Sequence, residues 1–269
     1  PSPMRLSIEH TTDYGYRQPL RFGLQELRLT PKSRAGQIVL RWNILVEGGR
    51  IEAKFEDQHN NQVALISLDE GVERVRILCD GEVETTDNAG VVGRHGGFAP
   101  VWYFGRSTAL TQPGPRLHRL ARGLADTYAT DIDRLHALSR QIILEAPYSI
   151  GATDAAGSGE EALSRGAGVC QDHAHIFIAV ARLLGYPARY VSGYLALDAT
   201  VEQDAMHAWA EAHVKGLGWV GFDVSNGISP DDRYVRVATG LDYREAAPVS
   251  GISYGADTET LSVCIRVAQ

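Results

Sequence analysis

Gly166-Ala167-Gly168-Val169-Cys170-Gln171-Asp172-His173-Ala174-His175, continued by the apolar run from Ile176 to Leu184, decides how this chain folds. A glycine-bracketed loop runs into a helix that is apolar on nearly every face except at Arg182. A helix with no polar face belongs in the centre of a domain. Gly185 and Pro187 end it. Cys170 stands at its start. At a helix N-terminus the unsatisfied amides and the positive end of the dipole favour thiolate over thiol. Cys170 is therefore a candidate nucleophile rather than one more packing thiol.

Working outward, apolar stripes at helical spacing precede this segment. Leu117, Leu120, Ala121 and Leu124 form one; Ile132, Leu135, Leu138, Ile142 and Ile143 form another, with Asp131 as its expected cap. A short third helix starts at Ser158. Strand patterns follow Pro187, over 188–192, 206–214, 219–224, 234–237 and 261–267. Helices followed by antiparallel strands predict an α+β domain. The first ~90 residues read differently. Alternation over 5–12, 24–29, 38–46, 50–55, 63–66 and 73–84, with turns at Gly48-Gly49 and Asn60-Asn61, predicts a β-sandwich or barrel. Residues 88–115, rich in Gly and Pro, read as a connection. The expected division is a β-rich domain over 1–90 and an α+β domain over 91–269.

Bulk properties narrow the function classes. With 269 residues the chain holds one large domain or two modest ones. A net charge of −7 and a pI near 5.7 argue against a dedicated nucleic-acid binder. Three cysteines are too few for a disulfide framework. Cys79 and Cys264 sit in strand patterns and read as packing thiols. Pro1 to Arg5 lacks a signal-peptide pattern, and no apolar run reaches membrane-spanning length. The cytoplasm is the expected compartment, with no membrane association. Oligomeric state is open.

Chemistry needs partners for Cys170. A free thiol of pKa ~8.5 is only a few per cent thiolate at neutral pH. Lys215-Gly216-Leu217-Gly218 reads as a hairpin turn between two strands. Centred near Gly216, it puts His207 roughly opposite Asp223 to Asn226, where a small register shift or bulge would join His207 to Asp223. The expected roles follow: His207 takes the thiol proton, and Asp223 fixes the imidazole's tautomer and orientation. The thiolate attacks an acyl carbon, His207 protonates the leaving amine, and the Cys170 amide donates to the oxyanion.

Rival readings are weaker. Cys170, His173 and His175 invite a metal site, but helix positions two apart point about 200° from one another. No metal and no cofactor is expected. His173 is placed at the site entrance and His175 among polar groups. Trp209 and Trp219 read as packing. Asp198, Glu202 and Asp204 are too loosely spaced for calcium and read as a solvated loop able to cover the cleft.

Gly168-Val169-Cys170-Gln171-Asp172-His173, Gly185-Tyr186-Pro187-Ala188-Arg189-Tyr190-Val191-Ser192-Gly193-Tyr194, Met206-His207-Ala208-Trp209-Ala210-Glu211 and Gly218-Trp219-Val220-Gly221-Phe222-Asp223 resemble the transglutaminase-like superfamily. His10-Thr11-Thr12-Asp13-Tyr14-Gly15-Tyr16 and Glu26-Leu27-Arg28-Leu29-Thr30-Pro31 resemble the N-terminal domain of its bacterial two-part members. The resemblance implies a papain-like fold behind a β-rich N-terminal domain, with Cys170 as nucleophile, His207 as base and Asp223 as orienting carboxylate. The family often has an aromatic residue at position 173 and Pro-Thr where Val224-Ser225 stand here; neither departure touches the triad. The expected function is cleavage or exchange of amide bonds through a thioester, with a protein or peptide substrate. A cysteine protease or amidase-like hydrolase comes first. Alternatives are a transglutaminase, or a binding module that kept the fold without the chemistry.

Overall fold

Six strands follow one another through the first 85 residues: β1 (Met4–Tyr16), β2 (Phe22–Thr30), β3 (Gln37–Glu47), β4 (Gly49–Glu56), β5 (Gln62–Leu68) and β6 (Arg74–Thr85). The structure, a computed structural model, describes residues 2–126, 128–151, 157–198, 200–255 and 259–269. β1 shows why these segments are strands. Its even-numbered residues Leu6, Ile8, His10, Thr12, Tyr14 and Tyr16 are all buried, as a period of two requires when one face is covered.

After them come β7 (Val91–Gly93), a 3₁₀ turn (Val101–Gly105), α1 (Pro115–Leu124), α2 (Asp131–Glu145), α3 (Gly159–Arg165) and α4 (Cys170–Leu183). The chain then forms β8 (Ala188–Leu195), β9 (Glu202–Gln203), β10 (His207–Val214), β11 (Gly218–Phe222) and β12 (Tyr234–Gly240). α5 (Tyr243–Ala246), β13 (Val249–Tyr254) and β14 (Glu259–Ala268) end it. The helix expected to be capped by Asp131 is capped one residue earlier. Thr130 has the extended backbone of a cap and its hydroxyl accepts from the Asp133 amide. Ser158 caps α3 in a reciprocal box with Glu161. The stretch 88–115 is more than a connection, because β7 pairs with β11.

Three sheets result, ordered β3-β6-β1-β14-β9, β13-β2-β5-β4 and β12-β8-β10-β11-β7. The first two face each other across Tyr14, Val75, Ile77 and Cys79 on one side and Leu27, Leu29, Ile66 and Leu68 on the other, forming a sandwich. Strand pairing does not follow a division at residue 90. β14 pairs with β1 along ten residues and β13 with β2 along six, so the chain's last strands complete both N-terminal sheets.

The third sheet carries the α+β part. Ala208, Ala210, Ala212, Val220 and Phe222 on one face pack against α4, which α1, α2 and α3 enclose from the other side. Ile176, Phe177, Ile178, Val180 and Ala181 are fully buried, as a helix apolar all round must be. Arg182, its polar exception, satisfies its guanidinium on the Phe104, Ala188 and Leu241 carbonyls and the Thr111 hydroxyl at 2.8–2.9 Å.

The sandwich meets this domain at the edge strand β12. Leu6, Ile8, Val83, Ile265 and Val267 pack on Tyr194, Val235 and Val237. An edge strand leaves backbone groups unpaired, and here two side-chain amides from the sandwich side pair them. Gln37 accepts from the Arg236 amide (2.8 Å) and donates to its carbonyl (2.9 Å). Asn61 does the same for Thr239, at 2.9 and 2.7 Å. Gln37→Ala is therefore expected to destabilise the whole chain by ~1–3 kcal/mol for each β12 group it leaves buried and unpaired, read as a lower urea midpoint.

Candidate active site

Cys170 is the first residue of α4, with Val169 as the extended cap residue. The Asp172 carboxylate turns back to accept from the Val169 amide at 3.0 Å, closing the helix start around the thiol. The first turn of α4 is locked from behind by His173. That ring is fully buried, with Nδ1 on the Ser225 hydroxyl (2.8 Å) and Nε2 donating to the Ala146 carbonyl (2.7 Å). His173 thus fixes the loop after Asp223 to the start of α4 instead of standing at the entrance. His175 is buried too and accepts from the Tyr243 amide (3.1 Å).

The β10–β11 hairpin delivers the other two groups. Its register, Ala210 opposite Phe222 and Glu211 opposite Gly221, has no bulge. Extended by one pair it places Asp223 opposite Trp209, diagonal to His207 on the same face. No register shift is needed to join them. His207 Nε2 and Asp223 Oδ2 lie 2.6 Å apart. Cys170 lies beside His207, lining the same cleft and close enough to help raise the imidazole's pKa. The structure thus brings all three residues picked from the sequence together, with His207 bonded to Asp223 and Cys170 beside His207.

Two residues that sequence reading did not select hold Asp223. Tyr234, on the neighbouring part of β12, donates its hydroxyl to Oδ2 at 2.7 Å. Asn226 donates its side-chain amide to the same oxygen at 2.7 Å. Residues 223–228 close on themselves through paired backbone bonds between Asp223 and Ile228, with Gly227 at φ 67° making the turn. Trp209 then covers the pair. It is 2% exposed and meets Tyr234 edge-on at 5.3 Å and His207 at 6.0 Å between ring centroids. Room for its ring comes from Gly193, opposite His207, where a Cβ would lie 2.5 Å from the indole. Trp219 packs elsewhere, fully buried among Phe104, His95 and Arg189. Of these supports, only Asn226, three residues after Asp223, has a local signal in the sequence; Tyr234 and Gly193 come from strands whose register had to be known.

Electrostatics follow the contacts. Burial opposes a charged His207 ring, but the hydrogen bonds and charges of Asp223 and Cys170 outweigh it and raise the pKa to about 10. Burial likewise opposes an Asp223 carboxylate, and His207, Asn226 and Tyr234 together overcome it, holding the carboxyl below its ordinary value. The arrangement favours a protonated imidazole held by the Asp223 carboxylate.

Cys170 and His207 open on a cleft of about 490 Å³. Tyr148, Leu195, Leu197 and Met206 supply its apolar wall, Ser225 and Asn226 one end, and Glu202 and Asp204 an acidic side. Glu202 and Asp204 thus border the cleft, whereas Asp198 does not line it, and β9 pairs with β14 of the sandwich.

A β-sandwich ahead of a papain-like α+β domain, with a thiol at the start of its central helix, defines the class. Residues 118–224 match the transglutaminase-like superfamily and residues 6–84 the bacterial transglutaminase-like N-terminal region. The chain thus carries a transglutaminase-like core behind a bacterial transglutaminase-like N-terminal domain. It is 28% identical to an uncharacterised protein of Mycobacterium leprae over 98% of this chain and 99% of that one. An uncharacterised protein of Mycobacterium tuberculosis is 26% identical over 98% and 92%. A candidate cysteine protease from Cytophaga hutchinsonii superposes with a TM-score of 0.79 over all of this chain and 91% of the other; at 21% identity this likeness concerns the fold.

Two pH dependences are expected. His207 has a raised folded pKa, so its stabilising contribution is complete below ~6.5 and fades as pH rises through about 10. The deficit of His207→Gln in thermal melts should narrow over that window. Asp223 has a lowered pKa, so its contribution holds above ~3.9 and fades in acid. Tyr234→Phe should cost ~1.5–3 kcal/mol at neutral pH, the value of a hydrogen bond to a charged group, and less as pH falls and Asp223 protonates.

Proposed function

We propose that the protein is a thiol acyl-transfer enzyme that breaks amide bonds through a thioester on Cys170, acting first as a protease or amidase-like hydrolase. The single observation that carries this reading is His207 bonded to the buried Asp223 carboxylate with the Cys170 thiol beside it on the same cleft. A packing histidine has no need of two acidic partners in a cleft, whereas a proton shuttle for a thiol does.

In the first step the Cys170 sulfur attacks the carbonyl carbon, a C–S bond forms, and the carbonyl oxygen takes the electron pair. The Cys170 amide at the start of α4 donates to that oxygen. As the C–N bond breaks, His207 gives its proton to the leaving amine. In the second step water attacks the thioester, His207 takes its proton, and the C–S bond breaks to release the acid and restore the thiolate. Asp223 keeps the ring oriented throughout, and Tyr234, Asn226 and Trp209 keep Asp223 oriented and dry.

An amine in place of water would make the same enzyme a transglutaminase. The acidic side of the cleft, Glu202 and Asp204, favours a cationic side chain near Cys170 and supports this as the second reading.

Incubation with glutamine-containing peptides, with and without a primary amine, separates the two by product mass. Hydrolysis products that are insensitive to the amine are expected. Incorporated amine would move the assignment to transglutaminase. Cys170→Ala should abolish either product, and Asp223→Asn should lower kcat by ~10²–10⁴-fold while the fold persists. Full activity in Cys170→Ala would refute the thioester route.

A further inference from the structure

Between the sandwich and the papain-like domain lies a second cavity, of about 340 Å³, that shares no lining residue with the Cys170 cleft. Its charged lining is all basic: Lys32, Arg34, Arg94, Arg189 and Arg236, with no carboxylate. This concentration stands out in a chain of net charge −7.

Compensation around these groups is incomplete. Glu211, fully buried beneath, holds both Arg189 (2.6 Å) and Arg236 (2.5 and 2.8 Å), so one negative charge answers two positive ones. Lys32 is offset by Glu56 at 2.7 Å. Arg34 and Arg94 have no side-chain hydrogen bond or ion pair with any described residue, and Arg34 Nε is sealed from solvent without a partner. Burial, then the proximity of Arg236, pulls the Arg34 guanidinium down to about 9. The acidic group that offsets it, Glu211, is already shared by Arg189 and Arg236.

Nor is Arg34 a side chain adrift. Paired backbone bonds between Arg34 and Gln37 (2.7 and 3.0 Å) close its turn. The Gln37 amide fastens that turn to Arg236 of β12. Arg189, for its part, sits over the Trp219 ring at 3.9 Å, which restrains it. Guanidiniums held in fixed positions, with donors unspent, are the usual means of binding planar or tetrahedral oxyanions.

We propose that this seam is a binding site for a small anionic molecule carrying phosphate or carboxylate groups, held by Arg34 and Arg94 over the Arg189–Glu211–Arg236 cluster. Its volume is at the lower end of small-molecule sites. The bound anion would tie the two parts of the chain together, since Arg34 precedes β3 of the sandwich and Arg94 follows β7 of the third sheet.

Pyrophosphate and citrate, each titrated at constant ionic strength against sodium chloride, test this by thermal melts of the intact chain. A saturable rise of several degrees with one or both is expected; the stronger response assigns phosphate or carboxylate chemistry. Arg34→Gln and Arg94→Gln should each raise the half-saturating concentration ~10-fold or more, as loss of a charge-assisted contact requires. Arg106→Gln, whose guanidinium stacks on Tyr103 instead, should leave it unchanged. Because Arg94 is exposed, its variant keeps the test decisive should Arg34→Gln fail to fold. No rise beyond chloride, or a rise that Arg94→Gln retains in full as general salting-out would, overturns the proposal.

Discussion

A helix with no polar face has one stable position, and everything else in this molecule is arranged around that constraint. α4 lies against the alanines of β10, whose small side chains let helix and sheet approach closely. Phe177 stacks on Phe222 with ring centroids 5.0 Å apart. That contact links the helix carrying Cys170 to the residue immediately before Asp223. A change in the helix's position would separate Cys170 from Asp223, so the geometry of the site is inherited from the packing of the core.

The two faces of the same sheet do different work. Towards α4 it is apolar. Away from α4, β10 carries His207, Trp209 and Glu211 in alternation, and β12 adds Tyr234 and Arg236. This polar row is buried because the sandwich lies beside it, and every carboxylate in it is held by several donors, as burial demands. The sandwich in turn is completed by strands from the chain's end. Neither part closes without the other, which explains why the seam is knitted by Gln37 and Asn61 and not left as a loose linker.

Much of this was readable from residues alone, and the reason is period. α4, the strands of the first 85 residues and the β10–β11 hairpin each carry an unbroken local pattern, so Cys170, His207 and Asp223 could be placed on their elements. What could not be read depends on pairing between distant segments. β14 has a clear strand pattern at 261–267, yet nothing in that pattern says that its partner is β1, more than two hundred residues earlier. β7 and β9 are too short to carry a period. Tyr234 reaches Asp223 only through the β12–β8–β10 order of the sheet, and His173 looked like an entrance residue because its anchors, Ala146 and Ser225, lie on other elements. The Asp131 cap was misplaced by one residue because Thr130 and Asp131 are both good caps, and only backbone geometry chooses between them.

The most direct measurement is a comparison of thiols within one molecule. Cys264 is exposed and Cys170 is partly buried, so access alone would favour Cys264. At about pH 6, where an unassisted thiol is almost wholly protonated, iodoacetamide should nonetheless alkylate Cys170 first, as followed by peptide mass. The advantage should vanish in His207→Gln. Faster labelling of Cys264 in the wild-type chain would contradict an activated Cys170, and an advantage that survives His207→Gln would contradict the role given to the imidazole.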